Sequence, residues 1–191
     1  MDVNEAILTR RTHKQFDAST LSRETIVELL ELAIWAPNHR ITEPWRFAVV
    51  GGESRQSMIE ACHEAFDAMA KPGDERMMAK LAAKKNKFAR RIGDAGVVLA
   101  ISYVGNDSDP IQDREDYAAT ACAVQNIQLG ATARGLVSQW STSQVFYGER
   151  MRAFFGQAEA ETLVAVLFIG RPLRPLPERR QRSTEPRTRW L

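Results

Sequence analysis

The chain reads as an α+β domain, and three observations carry that reading. First, the stretch from Glu115 to Gly135, EDYAATACAVQNIQLGATARG, has no charge between Asp116 and Arg134. Acids open it, and an arginine followed by a glycine closes it, the order a helix dipole and a helix stop prefer. Second, four short runs rich in β-branched and aromatic residues stand apart from it, near 45–50, 97–104, 136–142 and 163–169. Third, about six helical patterns fall between these runs in a mixed order, not in the regular alternation of a doubly wound α/β fold. The Glu115–Gly135 helix spans roughly 30 Å, about the width of a small domain. Apolar nearly all round, it belongs inside a core. There Gln125, Asn126 and Gln128 need hydrogen-bond partners, because a buried amide without one is costly.

Taken in order, Asp2 with Glu5 marks the start of a short helix whose apolar positions are Val3, Ile7 and Leu8. Ser22 caps a second helix, with Leu21 and Ile26 at staple spacing and Ile26, Leu29, Leu30, Ala33 and Ile34 as its buried stripe. That helix stops at Ala36-Pro37, since the residue before a proline avoids the helical region. Asn38–Pro44 is a loop, and Trp45–Val50 a strand closed by Gly51-Gly52. Two helices follow, over Ser54–Met69 and Asp74–Arg91, then a buried strand over Val97–Val104. The polar segment Gly105–Arg114 is expected to be a loop leading into the central helix. Beyond it come the strand Leu136–Thr142, a short helix over Glu149–Phe155 and the apolar strand Leu163–Ile169.

Composition narrows the function classes. The net charge of +2 is unevenly spread: Arg171–Leu191 holds seven arginines and two glutamates, leaving the body at −3. A basic tail on an acidic body argues against a nucleic-acid binder. The acidic, amphipathic start MDVNEAIL is not expected to act as a signal peptide, and no segment is long and apolar enough to span a bilayer. Cys62 and Cys122 are expected to be reduced thiols of a cytoplasmic protein. Residues 1–170 form one domain. The extension 171–191, with four prolines, belongs to it but cannot bury enough surface to order itself alone.

Three constellations could carry chemistry. Arg10, Arg11, Thr12 and Lys14 put three cations and a hydroxyl within five residues, which suits a phosphate; the bland alternative is a solvated basic turn. Pro37-Asn38-His39-Arg40, held between two prolines, is a rigid platform from which Trp35 and His39 could stack on a flat ligand. Trp140-Ser141-Thr142-Ser143 ends a strand with amides and hydroxyls that suit the edge of a heteroaromatic ring. Dinucleotide fingerprint, Walker loop, metal spacing and nucleophile elbow are all missing from the sequence, so an enzyme here would leave the hard chemistry to an organic cofactor.

Together these pieces resemble the nitroreductase family of flavoproteins. The carriers are Ile7–Phe16 (ILTRRTHKQF), Ala36–His39 with Glu43–Phe47 (APNH, EPWRF), the helix Ala118–Gly135 with Gln125-Asn126, and Phe168–Pro172 (FIGRP). The match runs through nearly the whole chain in order, and Asn38-His39 in place of two serines is similar to the compact bacterial subgroup. The resemblance implies a mixed, mostly antiparallel sheet flanked by helices, with FMN at a homodimer interface and a C-terminal tail exchanged between subunits. It gives Arg10, Arg11 and Thr12 to the phosphate and ribityl chain and Lys14 to the flavin ring. By the same resemblance Trp35 and His39 match positions that reach the flavin from the partner subunit, Asn38 beside them is a further cofactor-binding candidate, and Trp140, Ser141, Thr142 and Ser143 match the turn along the flavin edge. Arg91 is a further candidate near the ring, and Arg179, Arg180 and Arg182 are candidates at the phosphate.

The implied activity is reduction of nitroaromatic, quinone or related acceptors with NADH or NADPH, by ping-pong hydride transfer through FMN N5, with no side chain acting as nucleophile. Two rivals stand beside it. One is another reaction on the same flavin scaffold, such as a dehydrogenase, a dehalogenase or a flavin-consuming enzyme. The other is a flavin-binding protein without turnover.

Overall fold

The computed structural model describes residues 1–71, 73–176, 178 and 183–191. Four strands, β1 (Trp45–Val50), β2 (Val97–Val104), β3 (Val137–Ser141) and β4 (Glu161–Gly170), form one sheet in the order β1-β2-β4-β3, and every neighbouring pair is antiparallel. The fold is therefore α+β, with an antiparallel sheet. The two inner strands are buried almost throughout, which is why both read as continuous apolar runs. Among the described residues six α-helices pack around the sheet. Those packed on one face are α3 (Ser54–Ala68), α4 (Glu75–Asp94) and α6 (Glu149–Phe155), around a core that includes Phe66, Phe88, Phe146 and Phe168. On the other face α2 (Arg23–Ala33) and α5 (Pro110–Ala133) close a second core of Leu29, Ile101, Ile127 and Leu167, and α1 (Val3–Thr9) packs on α5.

Alternation along the strands divides these two cores. In β2, Val98 and Ala100 face the α3–α4 side, and Val97, Leu99 and Ile101 face α5. A bulge interrupts β4: Ile101 pairs with Ala165 but Ser102 pairs with Leu163. The extra residue is Val164, and adjacent Val164 and Ala165 both join the α5-side core, as an inserted residue breaks the period of two.

The central helix begins earlier than its charge pattern suggests. Gly105–Arg114 is not all loop, because α5 starts at Pro110. The Asp109 carboxylate accepts from the Ile111 and Gln112 amides at 3.1 Å each, and proline follows at the first helical position. Gln112 and Asp116 are buried, and the Gln112 amide donates to the Asp116 carboxylate at 3.0 Å. The far end matches expectation, with Gly135 left-handed at φ 71°. Gln128 donates to Ser138 Oγ at 3.0 Å and Asn126 to the Leu32 carbonyl at 3.1 Å. Coverage is incomplete, however. Ala119, Ala123, Ile127 and Ala131 are buried, whereas Ile111, Tyr117, Ala118 and Cys122 on the far side are exposed. Val3, Ile7 and Leu8 of α1 are exposed too. Among the described residues no helix is long and apolar enough to cross a membrane.

The segment after α1 is stitched to the sheet's far edge. Thr12 bridges Ser138, the His13 amide donates to the Ser138 carbonyl at 3.1 Å, and Phe16 bridges Pro172. Leu173 donates back to the Gln15 carbonyl at 3.1 Å, so the chain is still tied to the body three residues past β4. Gly170 makes this docking possible. A Cβ there would lie 2.9 Å from the Gly96 amide nitrogen and 3.0 Å from the buried Phe16 ring. Gly170→Ala is expected to destabilise the fold by about 1–3 kcal/mol, because backbone cannot yield as a flexible side chain can. A lowered urea midpoint with an unchanged m-value is the sign to look for; an unchanged midpoint would mean that the segment docks loosely.

Candidate functional site

The N-terminal basic segment and the last turns of α4 enclose a cavity of about 510 Å³, in the range of small-molecule and cofactor sites. Thr12, His13, Lys14 and Gln15 line one side, Lys87, Arg90, Arg91 and Asp94 the other, and Leu173 completes it. Asp94 is the one carboxylate among these nine residues.

Arg91 is the unusual member. Only 7% exposed, it holds its guanidinium over the rings of Phe88 and Phe168, 5.2 and 5.6 Å from their centroids. Its Nε is buried without a hydrogen-bond partner, and among the described residues no carboxylate lies within 4 Å of it. Burial lowers its pKa from the usual arginine value. Cation–π contact offsets part of the desolvation cost. The remainder calls for an anion or a strong acceptor at the open side. His13 Nε2 is likewise buried and unpaired.

The sequence candidates divide into groups. Thr12 and Lys14 line the cavity. Arg10 and Arg11 do not: Arg11 turns back to donate to the carbonyls of Leu8 and Arg10, at 2.8 and 2.9 Å, where α1 ends. Trp140 and Ser141 lie on β3, two and three residues beyond the Ser138 that holds Thr12. Ser141 is buried, Thr142 exposed, and Ser143 leads into a 3-10 turn, Gln144–Tyr147. Trp140 Nε1 and Gln139 Oε1 are buried without partners. These residues do not line the cavity.

Trp35, Asn38 and His39 do not line the cavity: Asn38 and His39 lie in the loop just before β1, and Trp35 sits beside α1 and the C-terminal half of α5. Trp35 is 82% exposed, over an apolar depression it shares with Val3, Leu32 and Leu129. Asn38 Oδ1 accepts from the Glu43 amide at 3.1 Å, and His39 Nδ1 meets a Glu115 carboxylate oxygen at 2.6 Å. Arg40, Ile41 and Glu43 have φ of 58°, 55° and 42°. Non-glycine residues held left-handed store strain that the surrounding contacts must support, a feature common at ligand-binding loops. Lys87 and Arg90 were missed by the sequence reading. Their signal was present in the spacing of basic residues along α4. The phosphate candidates Arg179, Arg180 and Arg182 lie outside the described residues. Cys62 is buried against Met151, and burial pushes its thiol up to about 12, so it takes no part in chemistry.

The geometry can be set beside known proteins. The chain is 30% identical over 170 residues, 89% of this chain and 84% of the relative, to YfhC of Bacillus subtilis (strain 168), named "Putative NAD(P)H nitroreductase YfhC". A crystal structure of a nitroreductase-like family protein from Bacillus cereus superposes with a TM-score of 0.85 at 25% identity, covering 100% of this chain and 96% of that one. The FMN-dependent nitroreductase NfnB of Mycobacterium smegmatis, crystallised with NADPH, shares the fold, with a TM-score of 0.74 at 20% identity over 98% of this chain and 97% of its own. The family model described as "Nitroreductase family" matches residues 7–171. That span runs from α1 through the basic segment, the cavity, the central helix and β4, and the chain belongs to the nitroreductase family.

Proposed function

We propose that the protein is an FMN-dependent NAD(P)H oxidoreductase that reduces nitroaromatic, quinone or related acceptors and works as a homodimer. The single observation that carries this is the buried Arg91, without a carboxylate partner among the described residues, facing Lys14 and Thr12 across a cavity of cofactor size. The donor set fits a flavin mononucleotide. Thr12 and the flanking cations would hold its anionic parts, and Lys14 and Arg91 would supply positive charge to a group that becomes more negative on reduction. When bound, FMN supplies the two-electron chemistry, accepting and donating hydride at N5. The chain's own part is to bind, to orient and to exclude water. Phe88 and Phe168 keep Arg91 in a dry setting, where its charge acts more strongly than in water.

The dimer rests on what the single chain leaves uncovered. Trp35, Ile41, Val3 and Ile7 are all more than half exposed, on the same side as the bare face of α5. An apolar expanse of this kind is a docking surface, and a C2 partner is the simplest cover. Such a partner could bring the Trp35–His39 loop of a second copy to the cavity, which accounts for a platform built away from the cations of its own chain. A cytoplasmic location fits a buried reduced thiol and a cofactor-dependent reductase.

The test is purification followed by kinetics. The protein should be yellow with bound FMN, and double-reciprocal plots for NAD(P)H and an acceptor should be parallel, since donor and acceptor occupy one place in turn. Intersecting lines would sink the shared-place mechanism, and a colourless protein that takes up no FMN would sink the cofactor assignment.

A further inference from the structure

We propose that one face of α4 is a track for the phosphates of the nicotinamide donor and selects NADPH over NADH. This rests on the oxidoreductase reading of the cavity. Arg76, Lys80, Lys84, Lys87 and Arg91 follow one another at intervals of four, four, three and four residues. At 3.6 residues per turn they share one narrow stripe, within an arc of about 80°. The first four are exposed, and the fifth is the buried arginine of the cavity. Among the described residues none of the five has a carboxylate within 4 Å; the α4 cation that does is Lys85, paired with Asp67 of α3. Met77, Leu81 and Phe88 turn into the core, so the stripe's direction is fixed by packing.

A solvated helix face does not need this arrangement. Like charges at i, i+4 destabilise a helix, and Arg76 in the first turn opposes the helix dipole. A purely soluble face would intersperse glutamates at those spacings and gain from them. Local choices that run against fold stability point to use by a ligand. From Arg76 to Lys87 the stripe runs for about 16 Å, and its lower end opens into the cavity where hydride must be delivered. The ligand it fits therefore enters the cavity at one end and carries several phosphates along its length. That describes a nicotinamide dinucleotide. Two exposed lysines upstream of the cavity suit the additional dianionic 2′-phosphate, which distinguishes NADPH from NADH. The stripe lies on the α3–α6 side of the sheet and the bare faces of α1 and α5 on the other, so Arg76, Lys80 and Lys84 stand clear of the cavity end that a partner's Trp35–His39 loop would reach.

The probes are 2′,5′-ADP and 5′-ADP, titrated by calorimetry into the purified protein and into the Lys80→Gln/Lys84→Gln double variant, with KM for NADPH and NADH measured beside them. The native protein should bind 2′,5′-ADP about tenfold more tightly than 5′-ADP, and the variant should lose that difference. KM for NADPH should rise about tenfold in the variant, and KM for NADH by less than about threefold. Equal binding of the two probes by the native protein, or unchanged KM for NADPH in the variant, would overturn the proposal. A preference for 2′,5′-ADP in a protein that takes no flavin would keep the track and discard the FMN reading. A flavin-loaded enzyme that uses both donors equally would do the reverse.

Discussion

Replacing Arg91 with methionine is expected to strip the protein of most of its FMN while leaving the apo-protein as stable as before, or more so. A side chain that only holds the fold together would do the opposite. The Arg91 guanidinium is desolvated, has no carboxylate within 4 Å among the described residues and rests on the faces of Phe88 and Phe168. Removing a lone buried charge relieves a cost that exchange for an apolar group of similar volume often turns into a gain. The two aromatic contacts return about 0.5–2 kcal/mol each, so the net change in apo stability should be within about 1 kcal/mol of zero. Flavin binding has no such compensation. A charge-assisted contact contributes about 1.5–3 kcal/mol, and its loss should weaken FMN by roughly 10- to 100-fold. Arg91→Lys keeps the charge but not the planar fork, and should recover part of the affinity. The measurements are fluorescence titration of the apo-protein with FMN and a urea unfolding curve. Full flavin affinity together with a loss of several kcal/mol in stability would show that Arg91 is a structural residue.

This residue also shows where the sequence stops being informative. As a basic residue just before a buried strand, Arg91 could be singled out, but its setting depends on Phe168, at the end of the chain's last strand. Nothing local announces that contact. Elements with strong periodic signals were legible. The Ser22 cap, whose hydroxyl accepts from the Thr25 amide, the apolar runs of β2 and β4, and the Arg134-Gly135 helix stop all lie where pattern placed them. Asp109-Pro110 is a helix start that was read as loop, because the acids of the first turns resemble a solvated linker until Gln112 and Asp116 are seen to be buried against each other. The Arg10–Lys14 cluster read as one unit. Residues 12 and 14 reach the cavity only because Thr12 is held by Ser138, while Arg11 folds back onto the end of α1. A strand pairing between residues 126 positions apart cannot be read from spacing. The alanine-rich faces of α5 are more than one small domain needs to cover, and one side of the helix is indeed left bare, with Ile111, Tyr117 and Ala118 exposed. A helix apolar all round says that something covers it, but not whether the cover is the same chain.

Cutting the chain after Leu173 is expected to weaken the dimer and release FMN together. The cut preserves the last tie to the body, the Leu173 amide on the Gln15 carbonyl. Beyond it, among the described residues, the bonds of 183–191 stay within the segment: Arg187 donates to Ser183 and Thr188 to Thr184, around a 3-10 turn at Glu185–Arg187. Trp190 is 94% exposed, and Leu191 is exposed as well. An indole left in water at the end of an arginine-rich segment offers a large apolar surface and no core of its own to receive it. Holding such a segment in place costs about 1–2 kcal/mol per residue in backbone entropy, less at its prolines, so it needs an anchor outside itself. A second subunit supplies both a surface for Trp190 and, in a body of net charge −3, a field that attracts the tail's seven arginines. Loss of the tail should therefore raise the dimer dissociation constant at least about tenfold, with flavin lost in step. Trp190→Ala should reproduce part of both effects without removing any charge. Analytical ultracentrifugation alongside flavin absorbance reads the two quantities in one sample. A truncated protein that stays dimeric and fully flavinated would show that the tail is a solvated appendage. A monomer that keeps its FMN would show that one chain's cavity suffices.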